Sequence, residues 1–335
     1  MVTIRDVAAE AGVSIATVSR VINGTGYVSQ ASRERVLEAM RKLAYQPNAM
    51  AQGLRRQATH SVGVLLPRIH ESYFSTLVFA IEKTLFAHGY RALFCNTEED
   101  LAKEQDYIAM LLSQRVDAVV YFIPGEDRRP TVERLLEHGI PVVLLERALP
   151  GVSASQVLVA NYQGAWEGVN YLLKLGHQRI AVISGGPETI PADRIAGAQA
   201  ALHEAGLDKG LHLVKGPPDF EAGHTAALRL FGKAPRPTAI FALTDSMAVG
   251  VLHAAYELGL RVPEDLSVMG FDDIALASFI IPPLTTVAQP IYTIGETAAN
   301  ILLAQMNDPE LLPQSVVLPT ALMVRSSTAP PPSPR

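Results

Sequence analysis

The sequence predicts an all-α helix-turn-helix head on an α/β body of two doubly wound parallel-sheet lobes. Three observations predict it. Residues 1–47 carry apolar side chains at helical spacing between good helix caps. From Ser61 onward, strand-length apolar runs alternate with helical segments, and the rhythm restarts near residue 160. The charge is also split along the chain. Residues 1–60 hold 8 Lys and Arg against 4 Asp and Glu, while the remainder holds 20 against 29, so the net charge of −5 hides a basic head on an acidic body.

A chain of 335 residues is too long for one ordinary core, and 48% hydrophobic residues suffice for several. The single cysteine, Cys95, excludes a disulfide framework and a cysteine-built zinc site. It fits a reducing compartment. No run of about 18 apolar residues is present, so no membrane span is expected. Arg5, Asp6 and Glu10 interrupt the region where a signal peptide needs an apolar stretch. A cytoplasmic location with no membrane partner follows as the expectation.

In the head, Thr3 caps a first helix with Ile4, Val7, Ala8 and Ala11 on its apolar face, and Gly12 stops it. Ser14 caps a second helix. At 100° per residue, Val18, Val21 and Ile22 share the inward arc, while Ile15, Ala16, Ser19, Arg20 and Asn23 share the outward one. That outer face lacks the Glu and Lys of an ordinary solvated helix and is small enough to enter a major groove. Arg20 can pair with guanine, and Ile15 and Ala16 can meet thymine methyls. Thr17, Ser19 and Asn23 are candidate phosphate donors, with Ser14 and Asn48 beside them at helix starts. A third helix is read through "SRERVLEAMRKLAY", with Val36, Leu37, Met40, Leu43 and Ala44 inward. The Ala8–Gly12–Val18 frame alone also fits a three-helix domain that does not bind DNA.

"TIRDVAAEAGVSIATVSRVING" followed by "YVSQASRERVLEAMRKLAYQPN" resembles the head of the lactose/galactose-repressor family over its whole length. The resemblance implies base reading by Ile15, Ala16 and Arg20, and a backbone contact from Tyr45. The next segment, 48–60, has Asn48 as a cap and about two helical turns, too short to be stable alone. By itself it reads as a solvated linker. The family resemblance makes it a hinge helix, paired between two subunits in the minor groove, with Met50, Ala51, Leu54 and Arg55 facing DNA and Leu54 as the wedge.

The body is assigned to 61–327. Strands are read at "SVGVLL", "RALFC", "DAVVYFI", "PVVLLE", "RIAVIS", "TAIFAL" and "LSVMG", and helices at "FSTLVFAIEKTLFAHG", "GAWEGVNYLLKLG" and "SMAVGVLHAAYELG". Lobe 1 takes about 61–159 and 290–319, and lobe 2 about 160–289 and 320–327. "PLTTVAQPIYTIGETAANILL" carries the chain back to the first lobe. The Pro-rich tail, 328–335, is expected to be disordered. The body resembles the effector-binding half of the same family, which shares its fold with periplasmic sugar-binding proteins. No C-terminal leucine heptad helix is visible, so a homodimer is expected.

Ligands of open α/β sheets lie at the carboxyl ends of strands. Tyr73 and Phe74 follow the first strand and match a stacking aromatic pair of the family, although core packing accounts for them equally simply. Arg194 in "PADRIAG" matches the family's ligand-binding arginine. The stretch from Gly186–Pro187 to Arg194 is about two residues shorter than the family's, so contacts from 188–193 are not carried over. Asp272 in "GFDD" matches the carboxylate that accepts ligand hydroxyls, and Asp273 reads as a cap. Thr244 and Asp245 end another strand, with Asp245 also readable as a cap. Glu146 and Arg147 end a lobe-1 strand, as ligand contacts or as a mutual salt bridge. Phe220 near "PPDF" is a candidate to close the cleft.

A carboxylate, an arginine and an aromatic wall suit a sugar; a nucleoside or purine is the alternative. No P-loop, G-x-S-x-G or H-E-x-x-H occurs, and His70–Glu71 lacks a second histidine at the required spacing. Asp272 and Asp273 are adjacent and diverge, which is poor geometry for an acid–base pair. No cofactor, resident metal or catalytic residue is assigned. The expected protein is a homodimeric, sequence-specific transcriptional regulator. Its partners are double-stranded DNA with a palindromic operator and a small effector, most simply a sugar. A cytosolic sugar-binding protein or an enzyme is the remaining alternative.

Overall fold

The computed structural model describes residues 2–23, 25–45, 59–124, 126–185, 192–213 and 217–332. These form two compact units, 1–60 and 61–335. The hinge residues Asn48, Met50, Ala51, Leu54 and Arg55 lie outside the described residues.

The head holds three helices: α1 (Ile4–Ala11), α2 (Ile15–Asn23) and α3 (Gln30–Lys42). The Asp6 carboxylate accepts from both the backbone N–H and the hydroxyl of Thr3, at 2.8 Å each, fixing the start of α1. Those bonds hold the Asp6 carboxyl below its ordinary pKa. Gly12 ends α1 at φ 62, and Val13 N–H bonds back to the Ala8 carbonyl. Ser14 Oγ accepts from Thr17 N–H at 3.1 Å and caps α2. Val7, Ala8, Ala11, Val18, Val21, Val36 and Ala39 form the core. Two inward assignments in the third helix are corrected. Leu37 is 45% exposed, and Ala44 lies past the helix end at φ 46. The helix begins at Gln30 under a Ser29 cap and ends at Lys42, so Val36 and Ala39 carry the seam.

The body carries two six-stranded sheets. The first has the order β2–β1–β3–β4–β5–β11, from Ser61–Leu66 (β1), Arg91–Asn96 (β2), Ala118–Phe122 (β3), Val142–Leu145 (β4), Ser155–Val159 (β5) and Ser315–Leu318 (β11), all parallel. The second has the order β7–β6–β8–β9–β10–β12, from Ile180–Ser184 (β6), Leu211–Leu213 (β7), Ala239–Ala242 (β8), Ser267–Asp272 (β9), Thr285–Ala288 (β10) and Ala321–Met323 (β12). It is parallel except for β12, which pairs antiparallel with β10. The central strands β1, β3, β4, β6, β8 and β9 are near-continuous buried runs because helices cover both faces, while β2, β7 and β11 are partly exposed.

The covering helices are α4 (Ser72–Ala87), α5 (Leu101–Gln114), α6 (Arg129–Glu137), α7 (Asn161–Lys174), α8 (Ala192–Glu204), α9 (Phe220–Phe231), α10 (Asp245–Glu257) and α11 (Ile291–Asn307). The chain passes between lobes three times: from β5 to α7, from β10 to α11, and from β11 to β12. The return of α11 to lobe 1 packs Gly295 against the Leu77 carbonyl of α4.

The expectation of a tail disordered from residue 328 is corrected. Ala329 accepts from Ser267 Oγ and donates its N–H back to it, and the Thr328 hydroxyl lies 2.9 Å from those of Tyr171 and Thr285. His177, buried among Thr238, Ser267 and Ala329, has its pKa lowered by that burial. Thr328 and Ala329 stay because buried polar groups of lobe 2 need them as partners.

Candidate functional site

The carboxyl ends of the strands from both sheets open on one cleft, whose walls enclose about 540 Å³ of atom-free space open to solvent. Lobe 1 contributes Arg68 beyond β1, Phe122 and Pro124 at the end of β3, Glu146 and Arg147 after β4, and Tyr73 and Phe74 from the first turn of α4. Lobe 2 contributes Thr244 beyond β8, Asp272 at the end of β9, Gln289 after β10 and Arg194 from the first turn of α8.

Arg194 is the electrostatic centre. Its Nε donates to Asn161 Oδ1 at 2.9 Å, and Nη1 donates to the Leu243 carbonyl at 2.8 Å and to Asp272 Oδ1 at 3.3 Å. Nη2 reaches Glu146 Oε1 across the cleft at 3.5 Å. The guanidinium stacks 3.9 Å above the Phe271 ring, so its remaining face meets a π surface. Local sequence explains how the arginine gets there. Three residues on, at one helical turn, Gly197 stands where any Cβ would lie 2.1 Å from the Tyr162 carbonyl oxygen. The glycine lets α8 press on α7, and that contact delivers Arg194 to Asn161 at the start of α7.

Asp272 also accepts from Gln289 Nε2 at 2.6 Å. Burial raises its pKa from the ordinary 3.8 to about 7, with Arg194 and Gln289 pulling the other way. Asp272 and Glu146 take left-handed backbone angles, φ 121 and φ 74, at the ends of their strands. Such angles cost about 1–3 kcal/mol each and cluster where carboxylates must be aimed. Tyr73, Phe74 and Phe122 form an edge-to-face wall with centroids 4.8–6.3 Å apart. The Tyr73 hydroxyl donates to Glu146 Oε2 at 3.3 Å; burial, then the charge of Glu146, holds this phenol well above its ordinary pKa. At the rim, Arg68 pairs with Glu71 at 2.6 Å and with Glu99, and burial raises the Glu71 pKa.

The structure thus brings together Tyr73, Phe74, Glu146, Arg147, Arg194, Thr244 and Asp272. Two expected members do not join them. Asp245 is fully buried inside lobe 2, where Oδ1 accepts from Thr286 Oγ1 at 2.6 Å and Oδ2 from Ile274 N–H at 2.8 Å. Both oxygens are committed to holding α10 to the β9 and β10 ends. Phe220 is exposed at the start of α9, and its neighbour Pro218 lines the cleft instead. Asp273 is no cap either: it pairs with Arg325 at 2.7 Å. Thr244 spends its hydroxyl on the Pro218 carbonyl and the Met247 N–H.

Sequence reasoning passed over Arg68, Glu71, Glu99, Phe122 and Gln289. The strand-end rule, applied two residues past each strand, finds Arg68 and Pro124, while Phe122 is the last residue of β3 itself. Gln289 is not visible this way because "TTVA" is too rich in Thr to stand out as a buried strand, yet it forms β10.

In the head, Ile15, Ala16 and Arg20 are exposed on α2, and Thr17 and Ser19 are half-buried beside them. Val18 and Val21 fill the core behind. Tyr45 is half-buried just after α3. The side chain of Asn23 lies outside the described residues.

Residues 3–48 match the family of bacterial regulatory proteins of the lacI type, and residues 169–328 match a periplasmic-binding-protein-like domain. Catabolite control protein A of Priestia megaterium is 37% identical over 330 residues, covering 98% of this chain and 99% of its own. The ribose operon repressor of Escherichia coli K12 is also 37% identical over 330 residues, covering 98% of this chain and 100% of its own. The crystal structure of the lac repressor dimer bound to operator and the anti-inducer ONPF superposes with a TM-score of 0.88 at 30% identity, covering 98% of this chain and 99% of that one. Among the described residues no helix is long and apolar enough to cross a membrane. With the helix-turn-helix head, the two-lobed body and these matches over nearly its whole length, the chain belongs to the LacI family of DNA-binding transcriptional regulators.

Proposed function

We propose that this regulator is a homodimeric repressor whose operator affinity is set by a sugar held between the two lobes. The observation that carries the effector class is the pairing of an aromatic wall with a hydrogen-bonding carboxylate node. Tyr73, Phe74 and Phe122 offer apolar ring faces and edges. Asp272, Glu146 and Arg194 offer acceptors and donors at hydroxyl spacing. A pyranose or furanose presents one apolar face and a rim of hydroxyls, and it complements both. The ribose operon repressor among the relatives supports the same class. On the DNA side, Ile15, Ala16 and Arg20 are assigned to base reading, and Ser14, Thr17, Ser19, Asn23, Tyr45 and Asn48 to the backbone. Met50, Ala51, Leu54 and Arg55 are assigned to the minor groove. The homodimer rests on the likeness to the dimeric lac repressor bound to operator.

Titration calorimetry with a panel of free sugars, nucleosides and purines tests the effector class. A saturable heat with one sugar, lost in D272A, is the expected outcome. Saturation by a nucleoside or purine with no sugar binding would replace the effector class, and sustained product formation would replace the binding role itself.

A further inference from the structure

Outside the cleft, lobe 2 carries a compact group of metal-ligating side chains. His253 and Glu257 stand four residues apart on α10, on one face and one turn from each other. His224 on α9 faces them, its ring centroid 5.2 Å from that of His253. His224 Nε2 lies 2.7 Å from Glu257 Oε2, and His253 Nε2 lies 3.4 Å from Glu257 Oε1. All three residues offer ligand atoms within 4.8 Å of one another.

The backbone beneath them is tightly fixed. A Cβ on Gly250 of α10 would sit 1.9 Å from the Phe220 carbonyl oxygen, and one on Gly223 of α9 would sit 2.0 Å from the Met247 carbonyl oxygen. Two reciprocal glycines therefore hold the helices at backbone contact directly beside His224 and His253. The three ligands are thus presented by a rigid pair of helices and need only side-chain rotation to converge.

We propose that His224, His253 and Glu257 form a surface site for a divalent transition-metal ion of the zinc class. Tetrahedral zinc with bonds of about 2.1 Å needs ligand atoms about 3.4 Å apart, which matches the scale of this triangle. Two imidazoles with one carboxylate select zinc, nickel or copper over magnesium and calcium, which prefer oxygen ligands. Both histidines present Nε2 to the site, leaving Nδ1 to carry the ring proton. Three protein ligands leave a fourth position to water or to a donor from another molecule. The ion would clip α9 to α10, the two helices whose N-terminal ends supply Pro218 and Thr244 to the cleft.

The test is titration of the untagged, full-length chain with zinc chloride after removal of metal by a chelator, followed by the electronic spectrum of the cobalt-substituted protein. Loss of a group that only orients a ligand weakens metal binding by about 10–100-fold, so loss of a ligand itself should weaken it at least that much. One zinc per chain is expected, weakened at least tenfold in both H224A and H253A and unchanged in H203A, which removes a different surface histidine. His253 is 63% exposed, so H253A leaves the packing in place. Tetrahedral cobalt absorption should appear in the wild type and vanish in H253A. No saturable zinc binding, or binding that survives both H224A and H253A, would overturn the proposal. So would binding lost only in H203A.

Discussion

Asp272 is held in an awkward state: buried, at φ 121, with a pKa raised to about 7. Its folded pKa lies above its unfolded value, so between pH 3.8 and about 7 the folded chain holds the extra proton. Its contribution to stability is therefore fully present at low pH and is lost as pH rises through that window. A sugar hydroxyl donating to this carboxylate favours the ionised form. Effector affinity should rise as pH passes upward through about 7, and binding should release a proton. Calorimetry in buffers of different ionisation enthalpy checks both. D272N should flatten the pH dependence and D272A should abolish the response to effector while leaving operator binding intact. A second residue-scale prediction belongs to the head. R20A should cost about 1–3 kcal/mol on the operator and relax discrimination at one base position. Gel shifts on operator and mutated half-sites measure it, and unchanged affinity on both would remove Arg20 from the readers.

At the scale of elements, the helix pair α7–α8 positions the site through Gly197. G197A places a methyl group against a backbone carbonyl, so the helices must part and Arg194 must leave Asn161. A loss of about 1–3 kcal/mol in stability is expected with weakened effector binding, read by thermal melting and calorimetry on the same protein. Asp245 makes the opposite prediction. D245A should destabilise lobe 2 by about 3 kcal/mol because the Thr286 hydroxyl and the Ile274 N–H lose a buried acceptor, while effector affinity of the folded protein stays close to that of the wild type. The sequence allowed the strands to be read wherever apolar runs were long, as in "SVGVLL" and "TAIFAL". It hid β5, β7, β10, β11 and β12, which are short or rich in Ser, Thr and Gln. It also could not separate Asp245 from Asp272. Both follow a buried strand, and only the fold turns one inward to Thr286 and the other to the cleft. The role of Asp273 is hidden for a related reason, since its partner Arg325 lies far along the chain.

For the molecule as a whole, the two lobes share one ionic node. Arg194 of lobe 2 reaches Glu146 of lobe 1 at 3.5 Å, and Glu146 also takes the Tyr73 hydroxyl at 3.3 Å. An effector that inserts hydroxyls among these groups binds the lobe arrangement that fits it, and so shifts the population of lobe arrangements. A coupling of about 1–3 kcal/mol, or roughly 5–150-fold in affinity, is enough for regulation and must act equally in both directions. The most direct test is operator affinity of the full-length chain with and without the sugar found by calorimetry, alongside effector affinity with and without operator. Both affinities should change by the same factor, in the same direction, and D272A should abolish the change. Operator affinity unaltered by a saturating, cleft-bound sugar would rule out coupling between the cleft and the head.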